Sequence, residues 1–595
     1  MLFFMAQKLK IINENQQVLS KNTPIARQSW LTDIVSLAFI ILAFYLLWLG
    51  SYSLFTPDEG RYSEVAREMI ATGDYITPRV DGVAFLDKPI LYYWLQAASI
   101  HIFGIKEWAL RLFPVLLGVL GCIVTYVCGR HLFDRRTGII SAVILATTPL
   151  YFGGAHYANL DLEVAVLITC TLLFLITGFQ SKTNARHYFF FTAYLSAALA
   201  FLTKGLIAVA FPAMISGMWI ILLWRWDVLK RIHLVPGLLL FIAIVTPWYI
   251  LVQKANPEFL HYFFVTQQVT RFLSAAEFNN PTPFWFYLPI VLTGFFPWTS
   301  FLVQALHHSI RRTWQAREEH PVELFLLLWL TIIFLFFSIP RSKTISYILP
   351  VFPALALLTG HYLSLVWKNA RQRPIYWAII NFIVIGVLIS TVLLTMPQHQ
   401  LLELPPGFTP YRVAIAVVYI IGSLASLLCL RQKQLLPLFA VCAACSSIFL
   451  LTLTMGAEHL NQTSAKPLVT ELKAIIKPQD EVITYFKYYQ DVPLYLERRV
   501  TIVANWNSPK IQYRDNWMRE LWYGMSFQKT DDWLIDEDKF WKRWNSSNRV
   551  FVFLNENYLD QFKKHATSYY ILGVNNDIFL LSNKPTLLSM AAVLT

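Results

Sequence analysis

Stretches of roughly 18 to 22 apolar residues recur along the first 455 positions of the chain. Each is long enough to cross a hydrocarbon core of about 30 Å, because a helix rises about 1.5 Å per residue. Inside that core every backbone N–H and C=O must be bonded within the protein, so a run of this length folds as a helix. Hydrophobic residues make up 56% of the 595 and charged residues only 14%, far from the balance of a soluble domain. The pattern predicts an α-helical polytopic membrane protein with about 13 transmembrane helices. Residues 137–152 and 284–306 are each read as a single span.

The net charge of +13 raises nucleic acid as a partner, and its distribution argues against one. Lys and Arg concentrate in alternate short loops: Arg130, Arg135 and Arg136; Lys182 and Arg186; Arg225, Lys230 and Arg231; Arg311, Arg312 and Arg317; Lys368, Arg371 and Arg373; Arg431 and Lys433. The positive-inside rule assigns these loops, with an N-terminal segment 1–32, to the cytoplasm. The first span reads as a retained signal anchor. An odd number of spans then puts residues 456–595 outside, in the periplasm of a bacterial cell with an inner membrane. The expected organisation is a cytoplasmic segment 1–32, a transmembrane domain 33–455 with a large outer loop 55–107, and a periplasmic α/β domain 456–595.

A smaller set of cations lies on the other side, against the topological preference. They are Arg61, Arg67, Arg79, Lys88 and Lys106, then Lys204, Lys254, Arg271, Arg341 and Lys343. Charge placed this way close to a membrane marks a site. The outer loop opens on TPDEGRYSEVAREM, where Asp58 and Glu59 are adjacent carboxylates just past the first apolar run. Two such groups at a membrane face are costly unless solvated, paired or used. SEVAREMIATG predicts a short helix ending at Gly73, with Glu64, Arg67 and Glu68 as ordinary helix-surface pairs. LYYWLQAASIHIFG, at 91–104, predicts a helix lying in the interface. Lys88, before Pro89, is a compact cation suited to a phosphate.

Other features are weaker. His156, Asp161 and Glu163 are metal-ligand types without a spacing that unites them; Asp161 is the one retained as a site residue. The aromatic run near 261–286 reads as a lipid-facing belt. All six cysteines lie in apolar segments, which implies packing and no disulfide framework. In the C-terminal part EVITY, VTIVAN and RVFVFLNEN predict strands, and KPLVTELKAII and ENYLDQFKKH predict helices. NQTS at 461–464 matches a glycosylation triplet, a pattern common by chance.

PDEGRYSEVAREMIATGDYITPRVDGVAFLDKPILYYW resembles the first outer loop of the integral-membrane GT-C glycosyltransferases related to protein mannosyltransferases. It is most similar to that of the bacterial 4-amino-4-deoxy-L-arabinose transferases that modify lipid A. HYFFVTQQVTRF, PFWFYLPIVLTGFFPW and PRSKTISYILPVFPALALL follow in the same order. The resemblance implies a GT-C fold and an inverting transfer of a sugar from undecaprenyl phosphate to lipid A at the outer face of the inner membrane. It implies catalytic carboxylates at Asp58, Glu59 and Asp161, and a donor-phosphate site of Arg61, Lys88, Arg271 and Tyr347, to which Lys343 is an available addition. The chain departs from the pattern of the family it resembles at Leu86-Asp87, where members carry Phe-Glu, and at Gln267 and Gln268, where they often carry Glu-His. Asp87 is left as the one candidate ligand for a divalent metal, and no cofactor is required. The acceptor fixes the role of the acid. A hydroxyl needs a base, for which Asp58 is the choice; a lipid A phosphate needs none, and Asp58 and Glu59 would then orient cations or bind an amino group. Alternatives are transfer to another envelope glycolipid or to protein, and, in a different class, a transporter of lipid-linked sugar. A transporter would show internal repeats, and none is visible.

Overall fold

The computed structural model describes residues 24–183, 186–270, 282–368, 373–395, 404–432, 435–511 and 516–586. Among them nine helices are long and apolar enough to cross a membrane, and two bent pairs raise the number to eleven. The bent pairs fall on the two stretches read as single spans. Arg135–Ala146 and Pro149–Ala155 meet at 67°, because Pro149 cannot donate the N–H that would continue the first helix. Phe284–Gly294 and Thr299–Gln315 meet at 115° around Pro297 for the same reason. Arg186–Lys204 and the shorter Ile207–Leu223 run beside Leu160–Gln180. The thirteen expected segments are therefore all helical, two of them bent. Leu160–Gln180 and Ile345–Lys368 form the centre of the bundle, each with 89% of its apolar window buried, whereas only 17% of Ser29–Leu46 is.

The first outer loop is ordered throughout. Its leading helix begins at Asp58, earlier than the sequence pattern suggested, and runs to Thr72. Gly73 ends it at φ 70°, with its N–H bonded to the Met69 carbonyl, a left-handed cap that glycine accepts without strain. A two-stranded hairpin, Arg79–Val80 with Val83–Ala84, turns on Asp81-Gly82. The helix expected over 91–104 is present at Leu91–Phe103, with Tyr92, Tyr93, Gln96 and Ile100 on its buried side.

The chain after the last membrane helix (Leu435–Leu460) folds into a six-stranded sheet. Its order is Leu534–Ile535, Thr501–Val503, Glu481–Tyr485, Val550–Asn555, Ile578–Ser582 and Tyr570–Asn575. The first four strands are parallel and the last two antiparallel to their neighbours. All three expected strands and both expected helices are present.

This domain sits on the outer loop rather than hanging from a linker. Leu54, Tyr62, Val65, Tyr92 and Tyr93 share one apolar cluster with Leu468, Val482, Leu494, Ile502 and Phe551. A Cβ on Gly60 would lie 2.9 Å from the Asp491 backbone nitrogen, so only glycine permits this approach. Asp81 accepts from the Val500 N–H at 2.9 Å, and the Trp533 indole donates to the Asp81 carbonyl. Covering by this domain also explains why Glu64, Arg67 and Glu68 are buried and not a solvated helix face. Asn461, the first residue of the glycosylation triplet, is buried with its amide donating to the Ser53 and Leu54 carbonyls.

Asp491 lies at this junction, fully buried, accepting from the Ser464 hydroxyl and the Ala465 N–H at 2.8 Å each. Burial pushes its carboxyl up to about 6. The folded chain thus holds the proton more tightly than the unfolded one. The stability from this group is full below about pH 4 and is lost as pH rises through 6. Asp491→Asn should flatten that slope and raise the thermal midpoint at neutral pH, a gain on the order of 2 kcal/mol. Thermal unfolding of the full chain in detergent across this pH range is the measurement. An unchanged slope in the variant rules Asp491 out as its source.

Candidate active site

Asp161 lies on the first turn of Leu160–Gln180, with the Asn159 side chain capping that turn by accepting from the Asp161 N–H. Arg186–Lys204 ends on Lys204, where Gly205 at φ 86° stops the helix. The Lys204 ammonium bonds one oxygen of Asp161, and the Ser346 hydroxyl bonds the other. The same ammonium stands 4.1 Å from the centre of the Tyr347 ring, a favourable place for a cation. Three membrane helices, with Ser346 in the first turn of Ile345–Lys368, therefore meet through one carboxylate.

Opposite this group stands the helix Asp58–Thr72. Its first turn presents Asp58 and Arg61. One Arg61 nitrogen, Nη2, donates to Asp58 at 2.5 Å, and the other, Nη1, donates to both oxygens of Glu520 at 2.5 and 2.6 Å. Burial opposes the charge on Arg61, but Glu520 and Asp58 together hold its pKa above the ordinary arginine value. Between the two groups lies a cavity of about 330 Å³. Its walls include Asp58, Arg61, Asp87, Lys88, Asp161, Lys204 and Tyr347, and Gln490, Asn516, Trp517 and Glu520 of the soluble domain close it from outside. Cations and a phenol thus converge with carboxylates at one membrane face.

The expected site residues separate into groups. Asp58, Arg61, Asp87, Lys88, Asp161 and Tyr347 come together here. Arg61 differs from the expectation in its bonding: both terminal nitrogens are engaged by carboxylates, which makes it a bridge more than a phosphate ligand. Glu59 points the other way, into the protein. It is fully buried, and Arg111 binds both its oxygens at 2.8 and 2.7 Å, with the Phe55 and Ala158 N–H groups also donating to it. Lys343 is outside the cavity walls and donates to Thr282, at its carbonyl and its hydroxyl. Arg271 lies outside the described residues.

Asp87 accepts from the Tyr262 hydroxyl, to which the Gln267 amide also donates at 2.6 Å. One Asp87 oxygen, a group that a divalent cation would use, is thus taken by the Tyr262 hydroxyl. Among the described residues no three His, Cys, Asp or Glu side chains gather as metal ligands. Tyr262 and Phe263 are buried, so this part of the aromatic run is packing and not a lipid-facing belt, while Phe284 and Trp285 are exposed as the belt expectation required. His156 stacks on Phe152 at 3.8 Å and bonds its carbonyl, away from Asp161.

Ser346 and Glu520 were not singled out in the sequence, and Lys204 was flagged among the misplaced cations but given no role. Lys204 carried a signal as a charge misplaced between two apolar helices. Ser346 and Glu520 carried none.

The helical bundle, the charged cavity at one membrane face and the appended α/β domain define an integral-membrane glycosyltransferase of the GT-C class. Residues 87–251 match the family described as dolichyl-phosphate-mannose-protein mannosyltransferase, and residues 468–583 match the aminoarabinose transferase C-terminal domain. The undecaprenyl phosphate-alpha-4-amino-4-deoxy-L-arabinose arabinosyl transferase 2 of Proteus mirabilis is 31% identical over 404 residues, 66% of this chain and 71% of that one. The corresponding protein of Aeromonas hydrophila is also 31% identical, over 61% of this chain and 66% of its own length, just under two thirds. The crystal structure of ArnT from Cupriavidus metallidurans bound to undecaprenyl phosphate superposes with a TM-score of 0.80 at 26% identity, covering 94% of this chain and 98% of that one. The chain belongs to the family of undecaprenyl phosphate-4-amino-4-deoxy-L-arabinose arabinosyl transferases.

Proposed function

We propose that this protein transfers 4-amino-4-deoxy-L-arabinose from undecaprenyl phosphate to a phosphate of lipid A, at the periplasmic face of the inner membrane. The observation that carries this reading is the cavity itself: Lys88, Lys204 and Tyr347 stand around the same space as Asp58 and Asp161. Relatives whose names specify this donor and sugar support the choice of substrates.

The chemistry follows from the charges. An oxygen of the acceptor phosphate attacks the anomeric carbon from the face opposite the leaving group. A new C–O bond forms as the bond to the donor phosphate breaks, and the electron pair leaves with undecaprenyl phosphate. That group departs with one more negative charge than it had in the donor. Lys88 and Lys204 stabilise the developing charge in a space shielded from water, and the Tyr347 hydroxyl donates to it. A phosphate acceptor is already anionic, so no proton has to be removed. Asp58 and Asp161 then serve to fix the cations and to face the positively charged amino sugar. Asp87 accepts from the Tyr262 hydroxyl and carries no step.

The test is lipid A mass in a strain lacking its own transferase, expressing the chain intact and as Asp58→Ala and Lys88→Ala. The expected result is a mass increment of one aminopentose with the intact chain, reduced at least about 100-fold in both variants. Unchanged lipid A with the intact protein present in the membrane overturns the acceptor assignment.

A further inference from the structure

The soluble domain contributes a side chain to the reaction centre, and the geometry gives that side chain a task. Arg61 has two terminal nitrogens, and they are divided between two carboxylates from different parts of the chain. Nη2 goes to Asp58 on its own helix, and Nη1 goes to both oxygens of Glu520, 459 positions away. The Arg61 and Glu520 side chains are only 13% and 14% exposed, so the pair is shielded from the screening that makes surface ion pairs weak.

Glu520 is also held from behind. It lies on the helix Trp517–Met525, whose first turn is capped by the Asn516 side chain. Gly524 on the same helix meets the Ala84 carbonyl of the outer-loop hairpin so closely that a Cβ there would lie at 2.5 Å. Leu521 is buried in the cluster shared with that loop. Tyr523 packs 4.9 Å from the ring of Tyr262, the residue bonded to Asp87. The helix therefore has contacts fixing it to both the hairpin and the Asp87 region.

We propose that Glu520 is a positioning residue of the transfer reaction, holding Arg61 so that it in turn fixes Asp58 toward the cavity. This rests on the glycosyl-transfer reading above. Without Glu520 the Arg61 guanidinium is free to swing onto Asp58 or into the space where the donor phosphate belongs. Either movement disturbs the alignment on which the rate depends, and a misplacement of about 1 Å can cost roughly 100-fold. The substrates themselves need lose no contact, so the loss falls on kcat and spares KM.

The experiment uses the full-length protein in detergent, with undecaprenyl phosphate-linked aminoarabinose as donor and lipid A as acceptor, following release of undecaprenyl phosphate. Glu520→Ala should lower kcat by roughly 100-fold with the donor KM within about threefold of the parent. Glu520→Asp keeps the charge and should recover at least about tenfold of that loss. The double variant Arg61→Ala/Glu520→Ala should be no slower than Arg61→Ala alone, because the two act as one unit. Parent-like kcat in Glu520→Ala, a loss confined to KM, or additive losses in the double variant each overturn the proposal. If Glu520→Ala folds poorly, Glu520→Gln, which keeps the shape and removes only the charge, takes its place in the same comparisons. An inactive parent removes the transfer reading instead, and this inference with it.

Discussion

Lys204→Met should reduce transfer by about 1,000-fold while the protein still reaches the membrane. Methionine keeps most of the length and the apolar stem, so packing at the end of the helix changes little. What disappears is a charge with two functions. In the proposed transfer the ammonium beside Tyr347 is one of the cations that meet the leaving phosphate, and removing one such group in a dry site costs about 10² to 10³ in rate. Toward the protein, it is the cation bonded to Asp161, a carboxylate buried to 7% exposure. Unpaired, Asp161 must gain a proton or turn to another cation, and Lys88 lines the same cavity. The second effect compounds the first, since it draws Lys88 from its own work. Lys204→Arg keeps the charge in a wider planar group and should fall between the two. Steady-state turnover of purified variants decides the matter. A Lys204→Met enzyme within tenfold of the parent would falsify a direct role for this cation.

Legibility in the sequence followed the range of the interactions. The membrane helices could be read because a bilayer requires long apolar runs; each expected stretch is helical, but nine to eleven of the described helices, not 13, are long and apolar enough to span. The strands of the soluble domain could be read because alternate and continuous apolar patterns are local signals. Asp58 and Lys88 stood out as charges out of place in an oily chain, and Asp161 was named through the family resemblance. The same logic misplaced Glu59, because adjacency to Asp58 looks like shared purpose. On a helix, neighbouring positions point about 100° apart, and one of these residues faces the cavity while the other faces the core. Glu64, Arg67 and Glu68 looked like a solvated face because nothing local announces that a domain more than 400 residues later covers them. Glu520 was illegible for the same reason: its partner is distant, and an isolated acidic residue on an amphipathic helix looks like any other.

Arg111→Met should be the most damaging single change for folding. Arg111 and Glu59 are both fully buried, and the guanidinium does more than meet its carboxylate. It also donates to the Leu49, Tyr52 and Ser53 carbonyls and lies 3.7 Å from the centre of the Tyr52 ring. These carbonyls belong to the chain leaving the first membrane helix, where the backbone has no helical partners of its own. Arg111 thus ties that exit to the outer-loop helix through Glu59, and Glu59 ties both to the Ala158 N–H ahead of Asp161. Removing the cation leaves a buried carboxylate uncompensated, at a cost of about 3 to 5 kcal/mol, against a total stability of about 5 to 15 kcal/mol for a typical domain. Poor accumulation in the membrane and a sharply lower thermal midpoint are expected. Glu59→Gln/Arg111→Met removes both charges and should recover part of the stability, since a neutral pair leaves no bare ion. The double variant also separates the two readings of Glu59. Recovered folding with transfer within about tenfold of the parent makes Glu59 structural, because removal of a catalytic carboxylate typically costs 10² to 10⁴. Recovered folding with transfer abolished returns Glu59 to the reaction, despite its distance from the cavity walls.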